Sequence, residues 1–174
     1  MTDVFISYSG RAGAEIADEF RKELAKIAVQ SGVPESEMQV FVAHRSIHAG
    51  ANWEKEIWEN LPRCKWFFYV VTEGSNKSHY AQQELGAAIA LKKTIFPLLG
   101  KGVSAKDLPG FIKGWQAVDI AGARDKIAEM IGDIIGQKKA EIRDIQDKKQ
   151  KDQTGNILLA LAGVAALAGV FFKK

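Results

Sequence analysis

A serine, an aromatic ring and a carboxylate follow one another at regular spacing near the middle of the chain. Ser78 precedes an amphipathic segment in which Tyr80 and Glu84 are four residues apart, on one face of a helix. Ser7 and Tyr8 end an apolar run near the N-terminus. A carboxylate beside an aromatic plane and hydroxyls can bind a sugar and stabilise positive charge that develops on it. Taken alone, Glu84 is more simply a surface carboxylate, which the helix dipole favours near a helix N-terminus.

The sequence lacks the residues that several other chemistries require. His44, His48 and His79 have no accompanying cluster of cysteines or carboxylates, so we expect no metal site. The sequence contains no Walker-type loop and no GxGxxG, GxSxG or CxxC motif. A phosphoacceptor receiver needs acidic residues after its first strand, where this chain has Ser7–Ser9. The sequence therefore does not predict a metalloenzyme, a P-loop or dinucleotide fold, or a receiver.

Composition sets broad limits on the class of protein. The chain has 174 residues, of which 47% are hydrophobic and 26% charged, as is usual for a globular domain. The net charge of +3 is too small to indicate nucleic-acid binding, and much of the basic charge lies between Lys138 and Lys151 or at Lys173–Lys174. The single cysteine, Cys64, excludes an internal disulfide and is expected to be a small buried residue in a reducing compartment.

Short β-branched and aromatic runs alternate with amphipathic segments along most of the chain. The predicted elements are strands at residues 4–8, 39–43, 65–72, 94–99 and 115–120, and helices at residues 14–30, 53–61 and 78–93. Asn52 and Ser78 are the predicted N-caps of the second and third helices. Strands separated by helices indicate an α/β fold, a parallel sheet with helices on both faces. A ligand crevice is then expected at the carboxyl ends of the strands, near Ser7, Tyr8 and the helix that follows Ser78.

Particular side chains also carry packing predictions. Pro97 lies near the end of the fourth strand, so the pairing of this strand is expected to stop early. Trp58 and Trp66 are assigned to the core or the sheet, and Trp53 is expected to pack under the neighbouring loop.

The C-terminal part of the chain is helical in pattern and ends in an apolar tail. We predict a domain at residues 1–136, a charged helical stalk or linker at 137–156 and an apolar helix at 157–172. As a helix, this last segment spans about 24 Å, against roughly 30 Å of bilayer hydrocarbon. Flanking lysines can snorkel and the bilayer can thin, so the pattern predicts one membrane-spanning helix that anchors a cytoplasmic domain. Burial of the tail in the domain or in an oligomer core is the alternative.

Four segments, taken in order, carry a family resemblance. They are Asp3–Gly10 (DVFISYSG), Phe41–Ile57 (FVAHRSIHAGANWEKEI), Ser78–Leu99 (SHYAQQELGAAIALKKTIFPLL) and Pro109–Val118 (PGFIKGWQAV). Their order and spacing resemble those of bacterial and archaeal TIR (Toll/interleukin-1 receptor) domains, over about residues 1–136. The resemblance implies a flavodoxin-like TIR fold with a five-stranded parallel sheet.

The resemblance also implies an activity. TIR domains that cleave NAD+ carry a serine, an aromatic residue and a glutamate in one helix, and here Glu84 matches the catalytic glutamate, with Tyr80 in place of the commoner tryptophan. The chain is therefore expected to be an NAD+ glycohydrolase or cyclase, with NAD+ as its substrate and no cofactor. The implied substrate-binding residues are Ser7, Tyr8, Arg45, Ser46, Ser78 and Tyr80. Related bacterial sequences often have an acidic residue in place of Arg45, which either contacts phosphate, alters loop packing or is simply solvated.

The expected partners are NAD+, further copies of the chain through TIR–TIR contacts, other TIR or effector proteins, and the membrane through the tail. The resemblance implies a role in antiphage defence that is activated by self-assembly. Two alternatives stay open at this stage. One is a non-catalytic membrane-tethered scaffold that recruits other TIR proteins, and the other is an effector whose tail disrupts membranes.

Overall fold

In a computed structural model of the chain, the described residues are 2–43, 53–120 and 122–171, with the backbone alone described for Trp53, Arg124 and residues 153–171. The predicted cap Asn52 and the candidates Arg45 and Ser46 lie outside the described residues. The strands are β1 Val4–Ser7, β2 Val40–Val42, β3 Trp66–Val71, β4 Thr94–Leu99 and β5 Val118–Asp119. The helices are α1 Gly10–Gln30, α2 Trp53–Asn60, α3 His79–Ala90 and α4 Arg124–Phe171.

The five strands form one parallel sheet in the order β2-β1-β3-β4-β5, which confirms the predicted parallel α/β architecture. Val4 of β1 is in register with Val40 of β2 on one side and with Trp66 of β3 on the other. The strand order therefore reverses between β1 and β3. Such a switch point opens a crevice beyond the carboxyl ends of the two strands.

Apolar side chains cover both faces of the sheet. On one face Phe5 and Phe67 stack with ring centroids 5.4 Å apart, within a cluster that includes Leu85 of α3. On the other face Phe68 of β3 meets Phe20 of α1, with ring centroids 4.5 Å apart. A strand that is covered on both faces has no side for water, which explains why β3 is an unbroken apolar run. The helix α3 is thereby placed on the opposite face of the sheet from α1.

Pro97 does not stop the pairing of β4, contrary to the prediction. β4 pairs with β3 along its whole length. The backbone N–H groups of Thr94 and Gly100, each three residues from Pro97, donate to carbonyls on the β3 side. Because these groups alternate in direction along a strand, the N–H that Pro97 lacks would face β5. β5 pairs with β4 only from Leu98, so the proline removes no bond of the described ladder.

Trp58 and Trp66 have opposite environments. Trp66 on β3 is 1% exposed, which confirms its assignment to the sheet. Trp58 on α2 is 56% exposed, so the prediction that it belongs to the core is wrong. Ile57 occupies the buried side of α2, and the next residue along a helix points about 100° away from it.

The chain divides into two units, Met1–Ile135 and Gly136–Lys174, and the boundary falls inside α4. In the first unit α4 contributes the buried side chains of Ile131 and Ile134. In the second unit the backbone is helical as far as the end of α4, including residues 147–156, for which the sequence indicates a linker. The functional division into domain, stalk and tail stays a prediction.

The predicted membrane anchor is wrong. Within the described parts of the chain, no helix has both the length and the apolar character that crossing a membrane requires. The physical reason lies in the length of the apolar run, because residues 157–172 reach only about 24 Å as a helix, short of the roughly 30 Å of bilayer hydrocarbon. Phe172, at the end of that run, lies outside the described residues. The predicted anchoring of a cytoplasmic domain at a membrane depends on such a helix and is therefore wrong as well.

Candidate active site

The start of α3 is set by Ser78, as predicted. Its side-chain oxygen accepts a hydrogen bond from the backbone N–H of Ala81 at 3.3 Å, so Ser78 is the N-cap. The turn before it is held by Ser75, whose buried hydroxyl accepts a hydrogen bond from the N–H of Thr72 at 2.7 Å. These two local contacts fix where the helix leaves the end of β3, and therefore which side chains of α3 face the sheet.

Glu84 of α3 is buried, with 4% of its surface exposed, and is not a surface carboxylate. It lies close to Ser7, which ends β1 and is fully buried. Burial raises the pKa of the Glu84 carboxyl to about 7, and the nearby Ser7 hydroxyl acts in the opposite direction. The predicted crevice between β1 and α3 therefore brings together a carboxyl and a hydroxyl from distant parts of the sequence.

Tyr69 on β3 is a neighbour of this site that the sequence analysis missed. It is in register with Ser7 and is fully buried. Burial, and after it the charge of Glu84, raise the pKa of the Tyr69 phenol to about 12. Its hydroxyl has no hydrogen-bond partner among the residues that the structure describes. The available signal was a single hydroxyl inside an apolar strand, since a buried tyrosine usually finds a partner for its hydroxyl.

A small cavity of about 50 Å³ lies between α2 and α3. Its lining side chains are Glu54, Ile57, Trp58, Leu61, Tyr80, Gln83 and Glu84. Tyr80 is half-exposed there, so its ring is available to a ligand. A pocket that holds a whole small-molecule ligand has a volume of several hundred Å³, so this cavity can hold only part of a nucleotide.

The other predicted site residues have different surroundings. Tyr8 is half-buried next to β1, and its Cβ would lie 3.2 Å from a Cβ added at Gly13, so it packs against the first turns of α1. The Ser78 oxygen is already used by the helix cap. The structure thus brings together Ser7, Tyr69 and Glu84, of which the sequence analysis had named the first and the last.

Two larger cavities of about 480 Å³ lie elsewhere in the first unit. One lies between α1 and α4 and is lined mainly by isoleucines. The other lies between the outer side of α3 and the exposed aromatic residues Phe111 and Trp115. Neither of these cavities is lined by Glu84 or Tyr80, both of which line the smaller cavity.

Comparison with known proteins identifies the family. The family model of the TIR domain matches residues 4–131, and the chain therefore belongs to the TIR domain family. Comparison with curated proteins yields no match.

Two solved structures are similar in fold. The TIR domain of the Toll-related receptor TRR-2 from Hydra magnipapillata is 18% identical, with a TM-score of 0.57, over 77% of this chain and 98% of that one. A TIR-STING receptor from C. gigas, solved in complex with 2',3'-cGAMP, is 20% identical, with a TM-score of 0.54, over 74% of this chain and 38% of the receptor. At these identities the likeness shows the fold alone, which is the predicted flavodoxin-like TIR fold.

Proposed function

We propose that the chain is an NAD+ glycohydrolase or cyclase in which Glu84 is the catalytic carboxylate. The observation that supports this most directly is the place of Glu84, which is buried beside Ser7 and lines a cavity together with Tyr80. The resemblance of Ser78–Leu99 to the corresponding segment of NAD-cleaving TIR domains points to the same residue.

The chemistry requires a negative charge that acts more strongly in the transition state than in the ground state. Cleavage of the bond between nicotinamide and ribose passes through an oxocarbenium-like state, in which positive charge grows on the ribose. An ionised Glu84 stabilises that charge, and does so strongly because its surroundings are largely dry. Nicotinamide leaves as a neutral molecule from a cationic pyridinium, so no acid is needed to protonate it. One carboxylate is therefore sufficient, unlike the pair found in most glycosidases.

Substrate binding assists the ionisation of Glu84. With a pKa of about 7, much of the carboxyl is protonated in the free protein at neutral pH. The pyridinium of NAD+ carries a positive charge, and an opposite charge nearby favours the ionised carboxylate. The substrate thereby helps to generate the form of Glu84 that cleaves it.

The proposal includes further contacts with the substrate. The half-exposed ring of Tyr80 stacks on the nicotinamide or the base. The family resemblance assigns Arg45 and Ser46, which lie outside the described residues, to the pyrophosphate. A cavity of about 50 Å³ holds only a fragment of NAD+, so a second copy of the chain completes the site through TIR–TIR contacts. The reaction releases nicotinamide and either ADP-ribose or a cyclic ADP-ribose, and it serves antiphage defence.

The decisive experiment measures nicotinamide release from NAD+ by the purified chain at high protein concentration, with mass spectrometry of the second product. Glu84→Gln keeps the shape of the side chain and removes its charge, so it is expected to abolish release. Glu59→Gln on α2 is the matched control, because Glu59 is a partly exposed carboxylate that forms an ion pair with Lys55 at 3.8 Å. Equal release by the Glu84→Gln variant and the wild type would exclude the proposed role.

A non-catalytic scaffold that recruits other TIR proteins is the second candidate. It is favoured by the exposed aromatic side chains of Phe111 and Trp115 beside α3, since exposed apolar surface of this kind often marks a protein-binding site. In that case the wild type releases no nicotinamide at any concentration, and Phe111→Ala weakens binding to other TIR domains.

A further inference from the structure

Tyr69 is buried at a position where an apolar residue would avoid the cost of burying a hydroxyl. Its neighbours in the core cluster include Phe5, Phe67 and Leu85, all of which are hydrocarbon side chains. A phenylalanine would fill the same space without placing a hydroxyl in it. That hydroxyl is nevertheless buried and has no hydrogen-bond partner in the described part of the chain. Buried polar groups of this kind are rare in native proteins and are concentrated at functional sites.

The direction of the Tyr69 side chain is set by the strand register. Tyr69 is paired with Ser7, so both side chains lie at the carboxyl end of the β1–β3 pair. Tyr69 also belongs to the cluster that contains Ala81, Leu85 and Ala88, so it faces α3. Glu84 precedes Leu85 on this helix and lines the cavity between α2 and α3. Glu84 therefore borders this cavity and also lies near the hydroxyls of Ser7 and Tyr69.

We propose that Tyr69 is a positioning residue for Glu84, whose phenol hydroxyl donates a hydrogen bond to the carboxylate from the sheet side when Glu84 ionises. The bond holds the carboxylate in one orientation and leaves its cavity-facing oxygen for the ribose. The catalytic role of Tyr69 rests on the proposed function, whereas the proposed hydrogen bond to Glu84 is expected in the free protein as well. The raised pKa values of both groups are consistent with it, because each group is desolvated and the charge of Glu84 reaches Tyr69.

The groups that face Glu84 come from three elements besides its own. They are Ser7 from β1, Tyr69 from β3 and Glu54 from α2, together with Tyr80 on α3 itself. Glu54 is exposed and also lines the cavity, so the NMR signal of Glu84 must be distinguished from that of Glu54. With its pKa raised to about 12, Tyr69 stays neutral through the range in which Glu84 titrates, so it acts there as a hydrogen-bond donor and not as a charge.

The first test measures the titration of Glu84 in the full chain by carboxyl-carbon NMR, with the signal assigned by its loss in Glu84→Gln. Tyr69→Phe removes the donor and keeps the ring, so the ionised form loses stabilisation. The titration midpoint is expected to rise by about one pH unit, a tenfold change in the ionisation constant. Ser75→Ala is the control, because it removes a buried hydroxyl from the same end of β3 that bonds elsewhere. A midpoint that is the same in Tyr69→Phe and the wild type overturns the inference.

A second measurement needs no change at Tyr69. The ring-carbon signal of Tyr69 in the otherwise wild-type chain should shift as pH passes through about 7, where Glu84 titrates, and this shift should vanish in Glu84→Gln. A Tyr69 signal that does not change near this pH overturns the contact even if Tyr69→Phe fails to fold.

The kinetic test separates this inference from the proposed function. If the chain cleaves NAD+, Tyr69→Phe should move the pH profile of kcat/KM up by about one pH unit, which lowers kcat/KM by up to about tenfold at pH 6.5 and restores it at pH 9. Ser75→Ala should lower the melting temperature without moving the pH profile. If the wild type does not cleave NAD+, the proposed function fails, while the two NMR measurements still decide whether Tyr69 binds Glu84.

Discussion

Ser7 and Tyr69 are register partners on the adjacent parallel strands β1 and β3, although 61 residues separate them in the sequence. Glu84 of α3 lies close to both, so three side chains from three elements meet at the switch point of the sheet. Burial at this place raises the pKa of Glu84, and the following predictions depend chiefly on that effect and on the packing around it.

Activity should rise with pH through neutrality. Glu84 must be ionised to stabilise the oxocarbenium state, and its pKa in the free protein is about 7. The value of kcat/KM for NAD+ is therefore expected to increase up to tenfold per pH unit below pH 7 and to level off above it. The rise of kcat with pH should have its midpoint at a lower pH than the rise of kcat/KM, because the bound pyridinium favours the ionised form of Glu84. Steady-state rates between pH 5.5 and 9 test this, and a flat profile would contradict it.

Folding stability should fall as pH rises, because of the same carboxyl. The pKa of Glu84 is raised from 4.5 to about 7, so the folded protein holds this proton more tightly than the unfolded chain does. The stabilisation is complete below pH 4.5 and is lost progressively as pH rises to 7 and above. Glu84→Gln does not titrate, so relative to the wild type it should gain about 3 kcal/mol between pH 4.5 and pH 8. Urea unfolding of both proteins at the two pH values measures this gain, and parallel changes in the two would contradict the prediction.

Tyr80 should contribute to substrate binding through its ring. Tyr80→Ala removes a half-exposed aromatic face from the cavity, and loss of one stacking contact is expected to raise KM for NAD+ roughly tenfold. Tyr80→Trp enlarges the face and should keep KM at or below the wild-type value. Leu91→Ala is a suitable control, since Leu91 is 42% exposed just beyond the end of α3. Equal KM values for Tyr80→Ala and Leu91→Ala would exclude a stacking role.

Gly100 should not tolerate a side chain, whereas Gly86 should. A Cβ at Gly100 would lie 2.9 Å from the Ile16 side chain and 3.2 Å from the Val71 carbonyl oxygen. Gly100→Ala is therefore expected to lower the free energy of unfolding by about 1–3 kcal/mol. Gly86 lies inside α3 with open space around it, so Gly86→Ala should raise that free energy by about 0.5–1 kcal/mol. Thermal unfolding of the two variants measures both changes in stability. A lower stability in both variants would contradict the open space around Gly86.

The order of strands and helices could be predicted because each signal is local. The apolar run of β3, the spacing of Phe20 and Leu24 in α1 and the cap at Ser78 depend on neighbouring residues. The predictions for Pro97 and Trp58 were wrong because both depend on what lies beside an element: the direction of one N–H group in the sheet, and the side of α2 that meets the core.

The sequence by itself determined the parallel α/β fold, because periodicity is a property of a single helix or strand, and the family resemblance of Ser78–Leu99 singled out Glu84. Only the tertiary structure decided that Glu84 is buried, that Ser7 and not Ser78 is its hydroxyl neighbour, and that Tyr69 lies beside it. Strand register, which no short segment encodes alone, brings these residues together. The energetics of the site follow from that register, since the desolvation that raises the pKa of Glu84 exists only when α3 packs on the sheet.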